Sequence, residues 1–273
     1  MITPAANHMN SAKTSYIIRL FRLARLLLHI LSGLLQSFVY PRFNRTIQRR
    51  MARKWANNFL AILNIKLICS GILPAEDEKR VILVANHISW LDIMIIMAKY
   101  PVRFVAKAEI LGWPLLNLLC RNVGTIFIER EKRNDTLRVN QDIVRALDSG
   151  DSIAIFPEGA TSDGTVLLHF HASLLQSAVN VSASLYPVAI CYRDRVGIHN
   201  TKVAYANITI LESLKLILEQ PFIQAELYFL DSIPSDDKNR RELARLSEQA
   251  ISETLQLSVV RKAPERPADL PVE

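Results

Sequence analysis

Short apolar runs rich in β-branched residues alternate with helix-length segments from residue 65 to residue 256. Parallel strands need a helix-length crossover between them, so this alternation predicts an α/β fold: a largely parallel sheet with flanking helices. The predicted strands are 66–69, 81–85, 102–106, 125–128, 152–156, 186–191, 208–211 and 225–230. The predicted helices are 90–99, 115–121, 135–149, 168–179 and 237–256.

The second predicted strand ends in the segment Asn86-His87-Ile88-Ser89-Trp90-Leu91-Asp92. A histidine at a strand-to-helix turn, with a carboxylate five positions later, can form a hydrogen-bonded His87–Asp92 pair. Asp92 would keep one ring nitrogen protonated, so that the other can accept a proton from a substrate hydroxyl. The segment also fits a plain helix cap, since Ser89 and Asp92 have the S-x-x-D spacing.

The positive charge of the chain is concentrated in its first quarter. Residues 1–75 contain eleven Lys or Arg and no acidic residue, whereas the remainder contains 22 basic and 26 acidic residues. Such asymmetry indicates an anionic partner surface, either nucleic acid or a phospholipid membrane. The three cysteines, widely spaced, indicate buried thiols in a reducing compartment and no metal site.

Residues 16–40 form a strongly amphipathic pattern at helical periodicity. Arg19, Arg22 and Arg25 lie on a polar stripe, and leucines with other apolar residues fill the rest of the helix surface. This is the pattern of a helix that lies in a membrane interface. A single membrane span is the alternative, but the apolar stretch 26–40 has only 15 residues, fewer than the roughly 20 that a span needs.

A second amphipathic helix is predicted after Pro41. Its apolar face comprises Ile47, Met51, Trp55, Phe59 and Ile62, and its basic face comprises Arg45, Arg49, Arg50 and Arg53. A plain surface helix packed on the core is the alternative interpretation. We interpret residues 1–63 as basic membrane-docking helices, 64–260 as the α/β domain and 261–273 as a disordered tail.

Three further segments follow predicted strands. Gly124-Thr125-Ile126-Phe127-Ile128-Glu129-Arg130 ends in an arginine that can bind a phosphate, or simply pair with a nearby acid. Phe156-Pro157-Glu158-Gly159 forms a turn at a strand end, where open α/β sheets bind ligands. Tyr186-Pro187-Val188-Ala189-Ile190 begins a strand with proline, where a missing N–H donor is tolerated.

In this order, the four segments resemble the conserved blocks of the glycerolipid acyltransferases, including the His-x4-Asp core at His87 and Asp92. The resemblance covers roughly residues 45–215, and that family also has a two-helix membrane motif. It implies that His87 is the general base and that Asp92 orients it. It assigns supporting roles to further residues: Arg130 for the acceptor's phosphate or headgroup, Glu158 and Gly159 for positioning the acceptor, and Asn86 and Ser89 for the base or its turn.

One position departs from the usual pattern of that family. The third block continues as Gly159-Ala160-Thr161, so Thr161 stands where an arginine is usual and a phosphate contact is lost. This variant resembles the lyso-ornithine-lipid acyltransferase branch. His169 and His171 invite a metal interpretation, but no third ligand is suitably spaced, so we expect them on a helix surface.

The sequence therefore predicts an O-acyltransferase at the cytoplasmic face of the inner membrane, peripheral or with a single span. It would transfer an acyl group from acyl-CoA or acyl-carrier protein to the free hydroxyl of a lysolipid, either 1-acylglycerol-3-phosphate or lyso-ornithine lipid, without a metal or resident cofactor. A non-catalytic membrane-binding protein is the main alternative. A serine hydrolase lacks support because no G-x-S-x-G occurs. Nucleic-acid binding is disfavoured because aromatic residues are not interleaved with the basic ones.

Overall fold

The computed structural model describes residues 13–129 and 133–261. Its helices are α1 (Tyr16–Val39), α2 (Arg45–Ile62), α3 (Leu91–Lys99), α4 (Pro114–Asn122), α5 (Arg133–Asp148), α6 (Gln176–Val181), α7 (Ile210–Leu218) and α8 (Arg240–Leu255). Its strands are β1 (Ile65–Gly71), β2 (Val81–Ala85), β3 (Arg103–Lys107), β4 (Ile126–Ile128), β5 (Ile153–Ile155), β6 (Leu167–Leu168), β7 (Ser184–Arg193), β8 (Ile223–Phe229), β9 (Ile233–Pro234) and β10 (Val259–Val260).

The main sheet of the described residues has the strand order β1-β8-β7-β2-β5-β3-β4, and β9 pairs with β7. Strands β7, β2, β5, β3 and β4 run parallel, and β8 is antiparallel to β7. Strand β1 is parallel to β8, and the short strands β6 and β10 pair separately. The predicted largely parallel α/β sheet is confirmed.

Both faces of the sheet are covered, and β2 lies at its centre with all five residues buried. One hydrophobic cluster contains Val81, Leu83 and Ala85 of β2, together with residues of α2, α3 and α7. The other contains Ile82 and Val84, together with residues of α5, α6 and α8. This alternation is the two-residue period of a strand, and burial on both faces explains the unbroken apolar run.

Helix α1 packs with its polar face toward the protein. Arg19 pairs with Glu219, and the Arg22 guanidinium donates to the carbonyl of Gln220 at 2.8 Å. The His29 ring stacks on Trp55 of α2 with centroids 4.7 Å apart. The polar stripe identified in the sequence is therefore largely an intramolecular contact surface.

The opposite face of α1 is apolar and exposed. Its exposed side chains include Leu20, Phe21, Leu27, Leu28, Leu31, Leu35 and Phe38, each more than half accessible. A soluble amphipathic helix has the reverse arrangement, with its apolar face toward the core. Among the helices of the described residues, none is both long and apolar enough to cross a membrane.

Helix α2 is joined to both the core and the loops at the start of the strands. Phe59 and Leu60 belong to the first hydrophobic cluster. On its basic face, Arg49 donates to the carbonyl of Glu76, and Arg53 pairs with the Glu76 carboxylate at 2.6 Å. Four of the six arginines predicted to dock on the membrane (Arg19, Arg22, Arg49 and Arg53) therefore bond within the protein, whereas Arg25 and Arg50 are exposed.

Two predicted elements were wrong. The predicted strand 208–211 is instead the start of α7, because Thr209 and Glu212 form a full capping box that begins a helix there. The predicted helix 168–179 is helical only in its second half, since Leu167–Leu168 pairs with Val259–Val260 as a short strand.

Candidate active site

The site begins where β2 ends at the carboxyl edge of the sheet. The Asn86 side chain donates to the carbonyl of Ile190 at 3.0 Å and accepts from its N–H at 2.7 Å. The Asn86 side chain thus continues the hydrogen bonding between β2 and β7 by one residue beyond the end of β2. This anchors the chain immediately before His87.

Asp92, in the first turn of α3, is fully buried and binds four donors. Its Oδ2 accepts from His87 Nδ1 at 2.8 Å, from the Ile88 N–H at 2.7 Å and from the Ser89 N–H at 2.9 Å. Its Oδ1 accepts from the Tyr192 hydroxyl at 2.7 Å. Buried carboxylates are costly unless they are hydrogen-bonded, and here both oxygens are satisfied.

The His87 ring is held from two sides. Its Nδ1 faces Asp92, and its plane stacks on Phe156 with centroids 4.1 Å apart and 14° between the planes. The side chain keeps 21% of its surface accessible, and within the described residues no protein group bonds to its Nε2. With Nδ1 donating to Asp92, Nε2 is the nitrogen available to accept a proton.

Glu158 is a buried clamp between two loops. Its Oε1 accepts from the His87 N–H at 2.6 Å, and its Oε2 accepts from the Leu168 N–H at 2.9 Å. Burial raises the pKa of this carboxyl to about 8, partly opposed by these two hydrogen bonds, and the nearby Asp92 raises it further. Because the side chain is only 3% exposed, it holds the backbone of the turn in place.

Further loops fix the backbone of the same turn. The Ser162 N–H donates to the His87 carbonyl at 2.9 Å, and the Tyr205 N–H donates to the Ile88 carbonyl at 2.9 Å. The Thr161 hydroxyl donates to the Tyr205 carbonyl. Three loops therefore meet at His87. At position 161, where the glycerolipid acyltransferases usually have an arginine, Thr161 contributes a neutral hydrogen bond.

Two of the remaining predicted site residues, Ser89 and Gly159, lie in the turns around His87 and Glu158. Ser89 is fully buried, and its hydroxyl accepts from the Leu91 N–H, so it helps to start α3. Gly159 adopts φ +74°, a left-handed conformation that favours glycine in the turn after β5. Arg130 lies outside the described residues, so its predicted contact with the acceptor stays a prediction.

His169 and His171 do not lie on a helix, contrary to expectation. They follow β6 in a loop, because Glu248 of α8 bonds both to His169 Nδ1 at 2.8 Å and to the Phe170 N–H at 2.6 Å. Within the described part of the chain, no group of three His, Cys, Asp or Glu side chains is arranged to hold a metal ion.

Two residues of the site were not identified from the sequence. Tyr192 lies on β7, 100 positions after the carboxylate that it contacts, and Phe156 supplies the ring under His87. The sequence signal for Tyr192 would have been a tyrosine two positions after Ile190, on the same face of β7. Using that signal requires knowing that β7 is the neighbour of β2.

Comparison with known proteins identifies the family of this chain. Residues 66–191 match the Acyltransferase family. A 1-acyl-sn-glycerol-3-phosphate acyltransferase of Neisseria meningitidis is 33% identical over 233 residues, covering 84% of this chain and 91% of that protein. A lyso-ornithine lipid O-acyltransferase of Pseudomonas aeruginosa is 34% identical over 206 residues, covering 75% and 78%.

A solved structure shares the fold. The 1-acyl-sn-glycerophosphate acyltransferase PlsC of Thermotoga maritima superposes with a TM-score of 0.66 at 20% identity, covering 88% of this chain and 94% of that one. The relatives define the class of this protein, a lysolipid acyltransferase of membrane lipid biosynthesis. The chain belongs to the acyltransferase family and is an enzyme, as its four sequence segments predicted.

The raised pKa of Glu158 predicts that the free energy of unfolding depends on pH. Between pH about 4.5 and about 8 the native carboxyl keeps a proton that the unfolded chain releases, so the free energy of unfolding falls as pH rises through this window. In Glu158→Gln that slope is reduced. The variant is also less stable by about 1–3 kcal/mol, because its NH2 group faces a backbone N–H.

Urea unfolding between pH 5 and pH 8 measures both effects. Glu109→Gln, an exposed site, is the matched control and keeps the wild-type slope. An unchanged slope in Glu158→Gln would show that Glu158 is ionised throughout this range.

Proposed function

We propose that this enzyme transfers a fatty acyl group from acyl-CoA or acyl-carrier protein to the free hydroxyl of a membrane lysolipid, with His87 as general base. The observation that carries the proposal is the buried Asp92 bonded to Nδ1 of His87, whose side chain stays partly accessible and whose Nε2 bonds to no described protein group. The named relatives act in the same class of chemistry. A non-catalytic membrane-binding role would leave this arrangement unexplained.

The chemistry follows from the position of the ring. Nε2 takes the proton of the acceptor hydroxyl as its oxygen attacks the thioester carbonyl, forming a C–O bond and an oxyanion. Collapse of the tetrahedral intermediate breaks the C–S bond. The imidazolium then returns the proton to the departing thiolate, while Asp92 stabilises the positive ring.

Two acceptors fit the proposal, 1-acylglycerol-3-phosphate and lyso-ornithine lipid. Both appear in the names of relatives with similar identity. Thr161 donates its hydroxyl to a backbone carbonyl and carries no charge for an acceptor phosphate. This favours lyso-ornithine lipid, provided that Arg130 does not supply the missing cation.

The acceptor enters from a lipid surface, and we place α1 in that surface. Its apolar face is exposed over the length of the helix, and its polar face is bonded to the protein. Burying that face in the outer part of a bilayer would make the enzyme peripheral, and we propose that this bilayer is the inner membrane, at its cytoplasmic side. Arg25 and Arg50, exposed on α1 and α2, would contact headgroups. Arg19, Arg22, Arg49 and Arg53 would act indirectly, by fixing the two helices.

His87→Ala should abolish acyl transfer, with a loss of at least about 1,000-fold in kcat, because it removes the group that takes the hydroxyl proton. The measurement is thioester consumption with a purified lysolipid and acyl-CoA or acyl-carrier protein. His169→Ala, which loses a half-exposed contact with Glu248, should retain activity. Turnover by His87→Ala near the wild-type rate would refute the mechanism.

Lyso-ornithine lipid should be acylated with a higher kcat/KM than 1-acylglycerol-3-phosphate by about tenfold, since the neutral Thr161 gives no bidentate phosphate contact. Parallel assays with the two lysolipids in matched mixed micelles measure this ratio. A preference for 1-acylglycerol-3-phosphate would overturn the choice of acceptor and leave the reaction class intact.

Tyr192→Phe should lower kcat by about tenfold, because Asp92 loses the hydrogen bond on Oδ1. The unshared carboxylate then holds the protonated imidazole more strongly, so the acid limb of the pH–rate profile moves to higher pH. Tyr228→Phe makes the same chemical change on β8, where the hydroxyl contacts Glu226, and should leave the profile unchanged. A loss of activity without a moved limb would reduce Tyr192 to a packing role.

Leu35→Asp should weaken binding to phospholipid vesicles by at least about tenfold, because it removes buried apolar area and adds a charge at the lipid face. Leu35 is 63% exposed in the structure. Leu137 on α5, 65% exposed on the opposite face of the sheet, gives the matched control Leu137→Asp. Equal binding of both variants in a vesicle sedimentation assay would contradict the placement of α1.

A further inference from the structure

A cationic cavity of about 340 Å³ lies at the edge of the sheet opposite His87. It is lined by residues at the amino ends of parallel strands, including Arg103, the first residue of β3, and Asp151, just before β5. His87 instead follows the carboxyl end of β2, a strand about 17 Å long. The cavity is therefore separate from the proposed acyl-transfer site.

Four guanidiniums and one carboxylate line this cavity. Arg45, Arg49, Arg103 and Arg121 contribute four positive charges, and Asp151 contributes the single negative charge. Asp151 is shared by Arg45 at 3.1 Å and Arg103 at 2.7 Å. Positive charge remains in excess by three, which makes the cavity attractive to a further anion.

The backbone turns beside the cavity leave room for the guanidiniums. Gly124 has φ +79°, and a Cβ built on it would lie 2.9 Å from the Arg103 guanidinium. Gly150 has φ +86°, and a Cβ there would lie 2.9 Å from Arg45 Nη1. The left-handed φ values favour glycine at both turns, and the missing side chains leave space that the two guanidiniums occupy.

The cavity adjoins the exposed apolar face of α1. That helix ends at Val39, and the next two residues, Tyr40 and Pro41, line the cavity. Leu35 and Phe38 in its last turns are exposed, as is Phe43 just beyond. A ligand with a phosphate in the cavity and apolar chains along α1 would match both surfaces at once.

We propose that this cavity is a binding site for the phosphate-bearing headgroup of an anionic membrane phospholipid, distinct from the reacting lysolipid. Arginine binds phosphate in bidentate fashion, and each side chain offers five N–H donors. Arg121, in the last turn of α4, donates its Nε–H to Asn117 at 2.7 Å. Its other guanidinium N–H groups can bind a phosphate. A lipid held here would fix α1 and its loop at a defined depth in the membrane.

The test is calorimetric titration of the full-length protein with monomeric dihexanoylphosphatidylglycerol, and separately with inorganic phosphate at matched ionic strength. The wild type should bind one lipid, and Arg45→Gln/Arg121→Gln should bind at least about tenfold more weakly. Arg240→Gln/Arg241→Gln removes the same charge from the exposed start of α8 and should bind like the wild type.

Three results would overturn the proposal. These are unchanged lipid binding in the cavity variant, equal weakening in both double variants, or inorganic phosphate binding as tightly as the lipid, which would identify free phosphate as the ligand. Thermal unfolding shows whether the double variant is folded. If it is not, Arg121→Gln alone tests the proposal through its binding of the lipid. It removes only a contact to Asn117 and should still weaken binding by about threefold or more.

Discussion

The carboxylate of Asp92 is the interaction on which the site depends. It is fully buried, yet it accepts from two backbone amides, an imidazole and a phenol. An unpaired charge at this position would be costly, so the turn from β2 into α3 can adopt only the conformation that supplies those donors. The same carboxylate that stabilises this turn also orients the His87 ring. The ring is therefore held in its orientation as soon as the turn is folded.

The local parts of the fold and of the site could be predicted from the sequence, because their signals lie in adjacent residues. The strand-turn-helix around His87 and the apolar run of β2 were predicted from a few adjacent residues. Strand 208–211 was wrong because the β-branched residues at its start suggested a strand, whereas the Thr209–Glu212 capping box starts a helix. Tyr192 was missed because its contact depends on the strand order, which no short segment encodes.

Helix α1 shows a second limit of prediction. Its helical periodicity gives a polar face and an apolar face, but it does not say which of them meets the protein. The contacts decide this: Arg22 and His29 face inward, and leucines cover the outer surface. Because the polar face packs against the protein, the apolar face is available for lipid. Most basic residues of the polar face therefore bind within the protein and are not available for the membrane. Most of the predicted membrane-docking arginines hold the helices together, and one of them, Arg49, also lines the cavity at the far edge of the sheet with three further arginines.

We propose that Asp92 fixes His87 as the Nδ1–H tautomer, with Nε2 free to act as a base. Nitrogen NMR of protein labelled at histidine, at a pH where the ring is neutral, tests this claim directly. We expect the His87 resonances to show a protonated Nδ1 and an unprotonated Nε2, and this pattern should be lost in Asp92→Asn. A neutral His87 with its proton on Nε2, or a tautomer that does not respond to Asp92→Asn, would contradict the account.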